Sequence, residues 1–328
     1  LLNLLKELFK AATELYQENA EEGLEDAVSL LGNVARRLAD VEKHIDGMIM
    51  EPAPEMVYWV EIHPKYNRLK LRAAPLHVGE LITKHIWHKK ESVILTSATL
   101  TTHGTFEYMQ NALGATDAET LALGSPFDYE GSTLLYIPAD MPEPNQPGYS
   151  EAMERALTQL ASATGGRLLA LFTSYAQLQR TSRSISAPLK KNGIVVFEQG
   201  GGASPNALLE SFKESEAAVL LGTRSFWEGV DIPGDDLSIV ALTKIPFGVP
   251  SDPLIAARSE LYENAFHQYY LPEAILLFRQ GFGRLIRSAQ DRGVVVIFDR
   301  RVQTKQYGRL FIESLPQCTT RVGPLHEL

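Results

Sequence analysis

The chain has 328 residues, 45% of them hydrophobic and 22% charged, with a formal net charge of −9; this composition excludes wholesale disorder, and the length suits about two domains. One cysteine, Cys318, excludes an internal disulfide and any cysteine-built zinc or iron–sulfur site, which need several thiolates, and the expected setting is reducing and intracellular. No apolar run reaches the ~18 residues of a membrane span, residues 1–9 lack signal-peptide order, and the charge is uneven: residues 1–55 hold 5 basic and 12 acidic side chains, residues 279–328 hold 9 and 4, so a local basic surface keeps polyanions open as partners.

Two helices are predicted first. Leu1, Leu5, Leu8, Ala12 and Leu15 form one heptad seam, and Leu31, Val34, Leu38, Val41, Ile45 and Met48 form another. Glu21-Glu22-Gly23 supplies the break, and an antiparallel pair follows, residues 1–55 forming one helical region. After Pro52 and Pro54, residues 57–62 and 68–72 read as the two strands of a hairpin. A helix near 76–88 precedes Val93-Ile94-Leu95, which reads as a buried strand. Four prolines between Pro138 and Pro147 predict a domain boundary, giving a second region over 56–147 and a third over 148–328.

Past 148 the pattern becomes regular. Short apolar runs at 168–172, 194–197, 218–221, 239–242 and 294–298 alternate with helical stretches near 149–162, 175–190, 205–213 and 272–288. The runs show no polar alternation, as expected of strands covered on both faces, so the fold class is α/β: a parallel sheet flanked by helices. Ser204-Pro205 is a helix-starting pair and Pro272 opens the last helix.

Ligands of such sheets bind at the carboxyl ends of the strands. There the sequence places Thr173-Ser174-Tyr175, Gln199-Gly200-Gly201-Gly202, the block from Gly222 through Thr223, Arg224, Trp227, Glu228, Gly229 and Asp231 to Gly234, and Ser97-Ala98-Thr99. Hydroxyls, glycines and arginine suit phosphate oxygens, although each segment alone also fits an ordinary turn. On a helix over 272–288, Gln280, Arg284 and Arg287 share a face. That face suits a polyphosphate, since guanidinium is always charged and bonds phosphate bidentately; a solvated basic face is the alternative. The histidines show no metal-binding spacing, and no metal is assigned.

Together these blocks resemble motifs III, V and VI of superfamily 2 helicases. Phe226-Trp227-Glu228-Gly229-Val230-Asp231 followed by Gln280-Gly281-Phe282-Gly283-Arg284-Leu285-Ile286-Arg287 is similar to the DinG branch of the XPD-like DNA helicases. Lys244-Ile245-Pro246-Phe247, Pro250-Ser251-Asp252-Pro253 and Phe172-Thr173-Ser174-Tyr175 match further blocks in the same order, and the likeness runs from about 92 to 315. No G-x-x-x-x-G-K-[ST] loop and no D-E-A-H block occur. The resemblance therefore implies the C-terminal portion of a longer helicase: a helical insertion, the last strands of motor domain 1, and a RecA-like motor domain 2.

The resemblance further implies ATP with magnesium as substrate, held mainly by a motor domain 1 outside this chain, and no iron–sulfur cluster within it. Arg284 and Arg287 become arginine-finger candidates with Gln280 beside them. Asp231, Glu228 and Gly229 hold the nucleotide's sugar or the motif VI helix, or are structural. Ser97 and Thr99 relay nucleotide state. Ser174, Tyr175, Thr223 and Arg224 face DNA, with Trp227 either stacking on a base or packing inside. The implied partners are single-stranded and forked DNA and the missing motor domain, without a membrane. A cytoplasmic, nucleoid-associated bacterial monomer, inactive as this chain alone, completes the expectation; a non-catalytic nucleic-acid module derived from a helicase is the alternative.

Overall fold

The computed structural model describes residues 2–19, 24–63, 67–102, 104–228, 232 and 236–327. The expected break at 21–23, turn residues 64–66, and Gly229, Val230, Asp231, Pro233 and Gly234 lie outside the described residues. The chain divides into two compact units, one of residues 1–77 with 256–258, the other of 78–255 with 259–328.

In the first unit, α1 (Leu2–Asn19) packs against α2 (Leu24–Ile49). The contact face of α2 is set by small residues: a Cβ at Gly32 would lie 2.6 Å from the Phe9 ring, and Ala35 is buried. That face is displaced from the predicted seam, for Val34, Val41 and Ile45 are exposed. Close approach through Gly32 and Ala35 overrides the larger residues' periodicity. Strands β1 (Met56–His63) and β2 (Arg68–Pro75) form the predicted antiparallel hairpin. It is entered at Asn67 with φ 45°, a left-handed conformation that asparagine tolerates. Arg258, from α10 (Pro253–Ser259), belongs with this unit and donates to the carbonyls of Pro75 and Leu76.

The second unit is built on a seven-stranded, wholly parallel sheet. Its strands are β3 (Thr133–Pro138), β4 (Leu168–Leu171), β5 (Val195–Glu198), β6 (Ala218–Gly222), β7 (Ile239–Leu242), β8 (Gly293–Ile297) and β9 (Thr319–Gly323), in the order β5-β6-β4-β7-β8-β3-β9. Alternate residues enter two cores, as a two-faced strand requires. Leu169 and Leu171 face one cluster with Phe226, Trp227, Phe278 and Phe282. Leu168 and Ala170 face the other with Met153, Leu178 and Ile185. Accordingly α6 (Tyr149–Thr164) and α7 (Tyr175–Lys191) cover one face, while α8 (Pro205–Glu214), α9 (Arg224–Trp227), α11 (Leu271–Phe282) and α13 (Gly308–Glu313) cover the other. Short helices α3 (Val78–Ile82, continued by a π-turn), α4 (Glu107–Leu113), α5 (Tyr129–Ser132) and α12 (Arg301–Thr304) complete the unit.

Three expectations change. The proline-rich stretch 138–147 is no domain boundary: β3 runs into it from the sheet, Met141 within it is fully buried, and α6 of the same unit follows. The described division falls after His77 instead. Val93-Ile94-Leu95 is not a strand; Ile94 is 84% exposed, because among the described residues no strand pairs with this run. The helix expected over 272–288 stops at Phe282. Gly283 takes φ −67° and ψ 0°, and the Arg284 and Leu285 amides donate to the carbonyls of Gly281 and Phe282, three residues back instead of the four of an α-helix.

Candidate nucleotide and nucleic-acid site

The carboxyl ends of β4, β5, β6 and β7 carry the segments singled out in the sequence, and the C-terminal turn of α11 lies beside one of them. Gly281 makes that approach possible: a Cβ there would lie 2.7 Å from the Trp227 ring and 3.2 Å from Leu242 Cδ2. Trp227 is 1% exposed, and its Nε1 donates to the Phe172 carbonyl at 3.1 Å. A ring so enclosed cannot stack on a base, so Trp227 is a packing residue rather than a DNA contact. It fixes the distance between α9 and α11.

Past Gly283 the chain turns away from the helical path, so Arg284 and Arg287 do not share a helical face. Different contacts place them. Arg284 Nε donates to the Gln280 carbonyl at 3.2 Å. The Arg287 amide donates to Asp291 Oδ2 at 2.7 Å, the Ser288 amide to the same oxygen at 2.8 Å, and the Ser288 hydroxyl to Asp291 Oδ1 at 2.6 Å. Burial works to raise the Asp291 pKa, but these hydrogen bonds and the nearby Arg287 charge outweigh it and hold the carboxyl below its ordinary value. Asp291 is thus the anchor of the arginine-bearing loop. Sequence reading passed over it because a lone carboxylate four residues beyond an arginine carries no distinctive pattern.

Gln280 Nε2 donates to Thr99 Oγ1 at 3.4 Å, while its Oε1 is buried without a partner among the described residues. Ser97 and Thr99 lie in a hydroxyl turn: the Thr99 amide donates to Ser97 Oγ at 3.1 Å, and the two hydroxyl oxygens are 3.3 Å apart. Arg279, quoted in the motif but given no role from sequence, bridges the same segment, donating to the carbonyls of Ala98 and Thr101. The structure therefore brings Ser97, Thr99, Gln280 and the start of the arginine loop together. Arg284 and Arg287, both half-buried, are of the residue type that suits a polyphosphate. Among the described residues no group of three or more His, Cys, Asp or Glu side chains converges to hold a metal ion.

The nucleic-acid candidates separate into exposed and committed residues. Ser174 and Tyr175 are exposed at the start of α7, and the Ser174 side chain makes no capping hydrogen bond. The Tyr175 ring lies over Gly200, where a Cβ would stand 3.3 Å from it and φ is +108°. Arg224 is exposed and pairs with Glu228 at 3.3 Å. Thr223 is buried instead: its amide and hydroxyl both donate to Gln199 Oε1 at 2.8 Å, and Gln199 Nε2 donates to Ser225 Oγ at 2.8 Å. Its hydroxyl serves the loop and is not free for a phosphate. Gln199 consequently shapes the start of the β6–α9 turn. Beyond β7, the fully buried Asp299 accepts the Ile245 amide at 2.8 Å and an ion pair from Arg301, which fixes the Lys244-Ile245-Pro246-Phe247 block.

Residues 157–318 match the helicase C-terminal domain family. The chain is 36% identical to the 3'-5' exonuclease DinG of Bacillus subtilis (strain 168), an alignment covering 99% of this chain and 36% of that protein. It is 38% identical to the ATP-dependent DNA helicase YoaA of Escherichia coli (strain K12), covering 80% of this chain and 41% of the relative. The ATP-dependent helicase DinG of Mycobacterium tuberculosis (strain ATCC 25618 / H37Rv) is 36% identical, over 87% and 44%. The chain thus spans well under half the length of these three relatives. A solved XPD helicase structure superposes with a TM-score of 0.62 at 17% identity, over 97% of this chain and 56% of that one, which is a likeness of fold. The chain belongs to the DinG-type helicases and carries their C-terminal domain, in a RecA-like fold shared with XPD.

Proposed function

We propose that this chain is the C-terminal part of an ATP-dependent DNA helicase and supplies the second motor domain of that machine. Arg284 and Arg287 neutralise charge on the γ-phosphate as phosphoryl transfer proceeds, with Gln280 beside them. A finger arginine of this kind is worth roughly 10³–10⁵ in rate. ATP and magnesium are held mainly by a first motor domain of the longer protein. Within this chain, the exposed apolar run at 93–95 is the portion that joins that domain's sheet. Single-stranded or forked DNA runs along Ser174, Tyr175 and Arg224, contacts to the backbone and stacking being tolerant of sequence. Glu228 releases Arg224 when a phosphate arrives. The setting is the bacterial cytoplasm, and the working form is a monomer.

One observation carries the reading. The last turn of α11 touches two segments remote in sequence, Trp227 of the β6–α9 block through Gly281 and the Ser97–Thr101 segment through Arg279 and Gln280, and leads directly into the arginine loop. A passive clamp on DNA has no need of arginines held at that junction. The test compares the full-length protein with this chain alone. The full-length protein hydrolyses ATP in response to single-stranded DNA, and the 328-residue chain, which has no G-x-x-x-x-G-K-[ST] loop, does not. DNA-stimulated turnover by the purified chain, with contaminating ATPase excluded, overturns the division of labour.

A further inference from the structure

Arg279 spends its guanidinium on a segment nearly 180 residues away. Nη1 donates to the Thr101 carbonyl at 2.5 Å and to Thr101 Oγ1 at 3.1 Å, and Nη2 donates to the Ala98 carbonyl at 3.0 Å. Burial lowers its pKa, yet a guanidinium stays charged within a protein. A second tie lies toward the opposite end of the same helix, where Tyr108 Oη donates to Glu273 Oε1 at 2.5 Å. Ala98 and Thr101 are therefore tied to the last turn of α11, and Tyr108 to its first. Six residues separate Glu273 from Arg279, about 9 Å of helix axis. The Ser97–Thr99 turn sits at the end where α11 passes into the arginine loop.

We propose that Arg279 is the positioning residue that locks the Ser-Ala-Thr segment to the arginine-bearing loop, so that a shift of one moves the other. This deepens the helicase reading above and rests on it. Arginine is required because two nitrogens of one rigid fork must reach two carbonyls three residues apart; an ammonium is a single point donor. Gln280 adds a weaker contact to Thr99 from the adjacent position. Occupancy of the DNA track, felt at the Ser97–Thr101 segment, reaches Arg284 and Arg287 through this lock. Arg279 itself touches neither ligand.

The experiment measures ATP turnover by the full-length protein with and without saturating oligothymidylate, in wild type, Arg279→Ala and Arg279→Lys. The readout is the ratio of DNA-stimulated to DNA-free turnover, which a residue needed only for stability does not move. The ratio is expected to fall about tenfold or more in Arg279→Ala and by an intermediate factor in Arg279→Lys. Oligothymidylate affinity should stay within about threefold of wild type. A ratio kept within about threefold in a normally melting Arg279→Ala protein overturns the proposal, as does a proportional loss of both rates. Should the alanine variant fail to fold, an unchanged ratio in Arg279→Lys overturns it equally. Absence of DNA stimulation in the wild type is a separate result: it removes the helicase reading, and this inference with it.

Discussion

Asp291 shows how one buried carboxylate can hold a site together. Its two oxygens accept the amides of Arg287 and Ser288 and the Ser288 hydroxyl, and hydrogen bonds to a charged group are the stronger kind. Asp291→Ala should destabilise the protein by about 2–3 kcal/mol and lower turnover, because the Arg287 backbone loses its anchor. Asp291→Asn keeps one accepting oxygen but not the charge and should lose less. The lowered pKa fixes the sign of the pH dependence: this contribution is fully present above the unfolded value of about 4 and is lost as acid carries the pH through the still lower folded value. Acid unfolding of wild type against Asp291→Asn checks it, the variant showing the shallower loss. Arg224 makes the opposite case, since an exposed pair such as Arg224–Glu228 contributes about 0–1 kcal/mol. Arg224→Ala should leave the melting curve nearly unchanged, weaken single-strand binding equally for all sequences, and reduce the salt slope by about one phosphate. A sequence-selective loss would place the DNA on another surface.

Helix α11 is the element on which the site depends, and Gly281 is its critical position. Alanine there gains about 1 kcal/mol of helix propensity. Its Cβ would meet the Trp227 ring at 2.7 Å and Leu242 at 3.2 Å, and overpacking of a filled core costs about 1–3 kcal/mol. The clash should win, and Gly281→Ala should melt at a lower temperature than wild type; a rise would mean that the indole has room to move. The same helix marks what the sequence could tell. Its start at Leu271-Pro272 and its apolar stripe were legible from proline chemistry and periodicity. Its end was not, because Leu285 and Ile286 continue a helical pattern while their burial comes from the turn that Asp291 closes. The inner strands read directly as apolar runs. β3 escaped because Pro138 and the prolines after it suggested a linker, and β9, at the sheet edge with the sequence Thr-Thr-Arg-Val-Gly, carries too little apolar residue to stand out. At the site, Gln280, Arg284 and Arg287 stand out in the sequence by their spacing, and Ser97, Thr99 and Gln199 by following apolar runs; resemblance supplies roles for all but Gln199, whose contacts, like those of Asp291 and Arg279, folding creates.

At the scale of the molecule, charge and length set what this chain can do by itself. A net of −9 coexists with an excess of basic residues over 279–328, so the basic excess is local to the part that carries the arginine loop. The first unit joins an acidic helical pair to a hairpin, and the second holds the entire parallel sheet. The relatives are about two to three times as long as this chain. The claim at the centre of this account is that Arg284 and Arg287 act on ATP held by a motor domain outside this chain. The direct measurement is steady-state ATP turnover of the full-length protein in saturating single-stranded DNA, with Arg284→Ala and Arg287→Ala and a melting curve for each. Each substitution should reduce turnover by on the order of 10³-fold, about 4 kcal/mol of transition-state stabilisation, with lysine restoring only part. Melting should stay close to wild type. If both alanine variants melt normally and turn over within about tenfold of wild type, the arginines are a solvated basic loop and the account fails.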